Sequence, residues 1–319
     1  MARFGYVLSS EEWGPDDLVW QAVQAQDAGF ESLGISDHFH PWNDEQGQSP
    51  FVWGVLGAIS REVDIPISTH VTAPILRIHP AIVAQAAATA SLQFRGRFVL
   101  GVGSGEALNE QILGDMWPLA DERLDMLDEA VEIMRALWSG DVVTHHGEHY
   151  AVEWARLYTA PAEPIPVYVS AFGPKALELA GRIGDGLVST SPEADAIETF
   201  NKAGGAGKPT LAGTKLCYGP DLDAAVETAH RLWPNTGLPG QLSQDLRTPA
   251  HFMQASSLVT ADQIGSSTPC GPDLNVHLSA IREYVDAGFD EVLIHQIGPL
   301  QNEFFRFAAD ELLPALRET

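Results

Sequence analysis

SLGISDHFHPW, residues 32–42, is the stretch that decides the fold. Its first half, 32–36, is a short run built on Leu33 and Ile35, of the length and composition of a strand buried on both faces. Its second half places Asp37, His38, His40 and Trp42 directly behind that run. Carboxylate, imidazole and indole crowding the end of a buried strand is the arrangement that a parallel barrel uses for chemistry at the C-terminal tips of its strands.

Working outward, the same beat recurs. A strand over 3–7 leads to Glu11, Glu12 and Trp13, and a helical period over 15–28 stops at Gly29. After 32–42 comes a helix over 51–61, then a strand over 66–70 that ends in His70-Val71-Thr72-Ala73-Pro74. An Ala-rich helix over 80–94 has proline in its first turn. The strand 97–102 runs into Gly103-Ser104-Gly105-Glu106-Ala107-Leu108-Asn109-Glu110, and 121–138 is an amphipathic helix closed by Ser139-Gly140. The segment 141–157 alternates like a hairpin and reads as an insertion. The beat resumes with strands over 166–170, 186–190, 209–218 and 291–296 and helices over 174–183, 193–202, 222–232, 275–287 and 302–316. Residues 233–272, rich in Pro, Gly, Ser and Gln, are expected to be irregular and a second insertion.

Eight strands, each followed by a helix, predict a single α/β domain over 1–319: a closed (β/α)8 TIM barrel with insertions at about 141–160 and 233–272. An open doubly wound sheet is the alternative. The chain is 319 residues long and 45% hydrophobic, enough for such a core. No apolar run is long enough to span a bilayer. Two cysteines form neither a disulfide framework nor a CxxC pair, and the N-terminus does not read as a signal peptide, which points to the cytoplasm. A net charge of −25 without any Lys/Arg cluster argues against a nucleic-acid partner. It also leaves an anionic cofactor to backbone N–H groups, helix N-termini and a few local cations.

Each strand-tip residue has a competing reading. GVGSGE has the spacing GxGxGE and not GxGxxG, so it is not a dinucleotide fingerprint. It reads as a glycine loop whose backbone approaches a planar or anionic ligand, or as a plain strand–helix turn. His38 reads as a catalytic imidazole. The alternatives are a structural donor or, with His40, a metal-binding HxH pair, but that motif normally follows the first strand and expects a later Lys and Asp. No metal site is assigned. Trp42 can plug the mouth, and Glu106 can cap the helix behind it. His145, His146 and His149 lie in the hairpin and read as surface residues.

SDHFHPW (36–42), THVTAP (69–74), GVGSGEALNE (101–110), LWSGD (137–141), PVYVSAFGP (166–174) and GRIGDG (181–186) stand in order along the chain. Together they resemble the F420-dependent glucose-6-phosphate dehydrogenase family of the luciferase-like superfamily, from about residue 4 to 190 and again in the last helices. The resemblance implies a hydride-transfer oxidoreductase acting on a CH–OH or carbonyl group with the deazaflavin coenzyme F420 (F-420, 8-hydroxy-5-deazaflavin). It implies a ring seated against a bulge after the third strand, with a non-prolyl cis peptide at His70-Val71. Ser104, Gly105, Asn109 and the turn Ala171, Phe172, Gly173, Pro174 would hold the tail and phosphate, and Asp37 would lie by the pyrimidine side. His38, Trp42 and Glu106 would surround the reacting carbon, with Glu11 nearby. His38 is the expected base and Glu106 the partner acid, roles that are exchangeable on sequence grounds; Trp42 would shield the site. The family also implies a small-molecule substrate and a homodimer.

One departure bears on the substrate. Where sugar-phosphate enzymes of the family carry two lysines, this chain aligns Glu193 and Gln254, and no basic residue falls in 264–270 where an arginine is expected. That predicts an unphosphorylated alcohol or sugar. Thr190, Glu193, Gln254, Trp13 and Trp233 are the expected substrate contacts, and Phe172 stands where a glycine is usual. The other functional readings are an FMN-dependent monooxygenase on the same fold, a metal-dependent barrel hydrolase and a non-catalytic barrel.

Overall fold

The computed structural model describes residues 2–318. Ten strands occur in chain order: β1 Arg3–Leu8, β2 Leu33–Ile35, β3 Ile67–Thr69, β4 Phe98–Val102, β5 Val143–His146, β6 Ala151–Ala155, β7 Val167–Ser170, β8 Gly186–Ser189, β9 Thr210–Leu216 and β10 Glu291–Gln296. Eight of them close a barrel in the order β1-β10-β9-β8-β7-β4-β3-β2. Every barrel pairing is parallel, and β1 closes the ring by lying between β10 and β2. The open-sheet alternative is thereby excluded. The expected strands all lie in the barrel, most of them shorter by one to three residues at their ends.

Parallel strands need helical crossovers, and the punctuation that the chain uses for them is local. Helix Pro15–Ala28 starts with proline in its first turn and ends at Gly29, whose φ of 96° only glycine adopts freely. Helices Pro80–Gln93 and Pro174–Ile183 open on proline in the same way. The helices bury Leu18, Leu56, Val83, Leu127 and Phe304 against the outside of the barrel. Inside, Val7, Val188, Leu211 and Leu293 form a separate apolar plug, with Val71 and Tyr168 packed on it. This plug is the floor on which the strand-tip residues stand.

The segment 141–157 forms the antiparallel pair β5–β6. Glu129 pins it, accepting from His145 Nε2 at 2.9 Å and from the N–H groups of His149 and Tyr150. Residues 233–272 are not irregular. They hold the short helices Leu242–Asp245, Pro249–Ser256 and Ala261–Ser267. The hydroxyl of Thr248 caps one, and Thr260 with Gln263 forms a capping box on another, so local caps outweigh the loop-like composition. The helix expected over 193–202 ends early, at Phe200, in a wide turn through Gly204 at φ 107°.

Candidate active site

The tips of β1 and β2 are locked by hydroxyls. Ser10 N donates to Ser36 Oγ at 2.9 Å, and Ser36 and Ser9 both donate to Glu11 Oε2, at 2.7 and 2.8 Å. Burial alone would raise the Glu11 carboxyl, but His38 and these donors outweigh it and hold Glu11 below its ordinary range. His38 Nδ1 lies 3.2 Å from the carbonyl of His40. A carbonyl only accepts, so that contact puts the proton of the neutral ring on Nδ1 and turns the Nε2 lone pair toward the cavity. There Nε2 stands 3.4 Å from Glu11 Oε1 and 3.6 Å from Glu106 Oε1. The indole of Trp42 meets the imidazole edge-on, with centroids 5.0 Å apart.

Two residues hold this triad in register. Asn109 accepts from the N–H groups of Phe39 and His40 at 2.8 and 2.9 Å and donates to Glu106, tying the β2 loop to the β4 loop. Its amide bonds within the chain at both ends, and Asn109 does not line the cavity, so the contact it makes here is a positioning one. Beneath it Arg77 bridges Asp37 Oδ1 at 2.9 Å and Glu110 Oε1 at 3.4 Å, with all three side chains buried. Thr72 donates to the other oxygen of Asp37 at 2.8 Å.

Glu110 is pushed up to about 7, because burial outweighs the charge and N–H groups of Arg77. Its folded pKa thus exceeds its ordinary value of 4.5. Its contribution to stability is complete below pH 4.5 and is lost as the pH rises through 7. Glu110→Gln removes that loss. Between about pH 5 and about pH 8 the urea midpoint of the wild-type protein is expected to fall further than the variant's; parallel falls would refute the assignment.

The mouth is a cavity of about 640 Å³, within the size range of cofactor pockets. The peptide His70-Val71 is cis and presents Val71 and Ala73 to one side of it. The His70 ring fills space that Gly34 and Gly213 leave, where a Cβ at Gly213 would come within 2.7 Å of Nε2. Burial, aided by Lys215, lowers His70 to about 4, so its ring is neutral at physiological pH. Across from it run Ser104, Gly105 and Glu106 on one side and Ala171, Phe172 and Gly173 on the other. Gly105 has φ of 67°, and a Cβ there would strike Glu110 and Ala73. Among the described residues no acceptor takes the N–H groups of Ser104, Gly105, Glu106, Phe172 or Gly173, and Gly173 precedes helix Pro174–Ile183. A flat apolar wall facing unspent N–H donors fits a planar ring with an anionic tail.

The remaining wall comes from β1, β8, β9 and β10 and the segment after residue 232. Glu12 Oε1 accepts from Trp233 Nε1 at 2.6 Å and His295 Nε2 at 3.0 Å, and its Oε2 from Gly298 N at 2.9 Å. Of the residues singled out in the sequence, the cavity gathers Glu11, Asp37, His38, Trp42, His70, Val71, Ser104, Gly105, Glu106, Ala171, Phe172, Gly173, Thr190 and Trp233. It does not gather Pro174, Trp13, Glu193 or Gln254. Trp13 packs on the core outside the barrel, and the other three are exposed. The sequence reading missed Arg77, Asn235 and Lys215. A lone lysine inside the buried strand PTLAGTKLCY, 209–218, was the signal for the last. His38 and His40 do not converge: His40 Nδ1 turns to the carbonyl of Leu108 at 3.0 Å.

The model of the luciferase-like monooxygenase family matches residues 2–291. A protein of Microbacterium testaceum named F420-dependent glucose-6-phosphate dehydrogenase is 37% identical, over 99% of this chain and 98% of its own. One of the same name from Nakamurella multipartita is 36% identical, over 99% and 96%. Among solved structures, an F420-dependent secondary alcohol dehydrogenase in complex with an F420–acetone adduct superimposes with a TM-score of 0.90 at 32% identity, covering 99% of both chains.

Proposed function

The chain belongs to the luciferase-like monooxygenase family and, within it, to the F420-dependent glucose-6-phosphate dehydrogenase group, and on that premise we propose that it is an oxidoreductase moving hydride between coenzyme F420 and a CH–OH or carbonyl group. The observation that carries this reading is His38 Nε2, set between Glu11 and Glu106 in a cavity that also holds the cis bulge and the glycine loop. Bound F420 supplies hydride acceptance or donation at ring carbon C5, without the oxygen activation of a flavin. Val71 and Ala73 would back its ring, Asp37 would lie at its polar edge, and Ser104, Gly105, Ala171, Phe172 and Gly173 would take its tail.

His38 receives the substrate hydroxyl proton at Nε2 as the C–H bond is broken, and returns it in the reduction direction. Glu11, already ionised, neutralises the imidazolium that results. Glu106, oriented by Asn109, is the second proton-handling group on the cofactor side. Trp42 covers the imidazole and excludes water from the transfer. The substrate is an unphosphorylated alcohol or sugar. Among the described residues Lys215 is the one lysine or arginine that lines the cavity, and the charges of Glu11 and Glu12 already act on it, which leaves no free cation to hold a phosphomonoester.

The same reading takes 1–319 as one barrel domain with insertions at about 141–160 and 233–272, working in the cytoplasm as a homodimer. No described helix is long and apolar enough to cross a membrane. Leu113, Met116 and Leu119 expose an apolar surface on one short segment, which association would cover. The catalytic reading is tested by supplying oxidised F420 with alcohols and aldoses, and separately reduced FMN with oxygen. Bleaching of F420 without FMN-dependent oxygen uptake is expected; the reverse pattern would overturn it.

A further inference from the structure

Lys215 pairs with His295 across β9 and β10, and its side chain reaches the cavity. Its ammonium lies 4.5 Å from the centre of the Trp233 ring. The carboxylates near it are already engaged. Glu12 takes Trp233, His295 and Gly298, and Glu11 takes Ser9 and Ser36 and faces His38. Among the described residues no acceptor comes within hydrogen-bond reach of the Lys215 ammonium, so its N–H donors face the cavity unmet. Asn235 lines the same cavity, and among the described residues nothing bonds either end of its side-chain amide; the carbonyl oxygen is turned inward and buried without a donor, so a half-turn of the amide would bring it to a ligand. Thr190, Ser191, Thr214 and Thr236 line the same cavity.

Buried polar groups are almost always bonded, so an unmet ammonium and an unmet amide lining one chamber suit a ligand whose groups both accept and donate. We propose that Lys215 and Asn235 select a neutral polyhydroxylated substrate, an aldose or polyol, with Lys215 donating to one hydroxyl and the unpartnered Asn235 amide bonding another. This rests on the F420-dependent dehydrogenase reading and names the substrate class of that site. A phosphomonoester drawn to one ammonium would meet Glu11 and Glu12 beside it. Those two glutamates also oppose the burial that lowers the Lys215 pKa, and so favour the charged donor. A small apolar alcohol would leave both groups without a partner from the substrate.

The test is F420 bleaching by the full-length protein with D-glucose, D-xylose, myo-inositol, glucose-6-phosphate and 2-propanol, alongside F420 binding followed by fluorescence quenching. At least one neutral polyol should exceed both glucose-6-phosphate and 2-propanol in kcat/KM by about tenfold or more. Lys215→Met and Asn235→Ala should each raise the KM for that polyol by about 10–100-fold, with kcat changed far less and F420 affinity retained. If Lys215→Met does not fold, Asn235→Ala decides alone. KM values within twofold of wild type would overturn the proposal, as would 2-propanol or glucose-6-phosphate as the best substrate. F420 binding without bleaching by any of the five would overturn it too. Failure to bind F420 at all would instead overturn the dehydrogenase reading beneath it.

Discussion

His38→Ala is expected to lower kcat by about 10²–10⁴-fold while F420 still binds. The argument is positional. The carbonyl of His40 holds one ring nitrogen, and the other is the group that stands between Glu11 and Glu106 at the mouth. Removing the ring leaves two carboxylates and no imidazole between them to take the substrate proton. Glu11 is held ionised, below its ordinary range, which makes it a poor proton acceptor and a good counter-ion. The loss should therefore appear in kcat and in the pH profile rather than in cofactor affinity. Rapid-mixing measurement of F420 bleaching reads it directly; a variant within threefold of wild type would remove His38 from the chemistry.

Arg77→Met is expected to cost about 3–5 kcal/mol of stability, because it strands two buried carboxylates without their cation. Asp37 and Glu110 have side chains 1% exposed, and Arg77 is the positive charge that both contact. Arg77 also donates to the main-chain carbonyl of Asp37 at 3.3 Å, so its loss frees the residue next to His38 as well. A drop in thermal midpoint of roughly 10 °C should therefore come with a lower kcat. Adding Glu110→Gln to Arg77→Met should recover part of the midpoint, since only one carboxylate then remains unmatched. A midpoint unchanged by Arg77→Met would show that water reaches these carboxylates.

The contrast between His38 and Arg77 shows what could be read from the chain. His38, Glu106 and the His70-Val71 bulge each follow a strand directly, so the βα beat alone places them at one mouth, and the eight-strand barrel came from that same beat. Arg77 lies on a loop. Its meaning depends on partners 40 and 33 residues away, and no local pattern connects them. Lys215 was hidden differently: it lies inside a strand, and only the closed barrel fixes which way its side chain points. Glu193 and Gln254 differ in the opposite sense: their positions followed from the family pattern, while here both are exposed and stand apart from the cavity's lining. The three short helices after residue 233 were masked by Pro and Gly content, although the Thr260–Gln263 capping box was written in the sequence.

The central claim is direct hydride transfer at a mouth shared by F420 and the substrate carbon. It is tested most directly by supplying the substrate that bleaches F420 with deuterium on its carbinol carbon, in ordinary water, and weighing the reduced coenzyme. One deuterium retained at C5 is the predicted result. Reduced coenzyme carrying only solvent hydrogen, or no reduction by any alcohol or sugar, would contradict it.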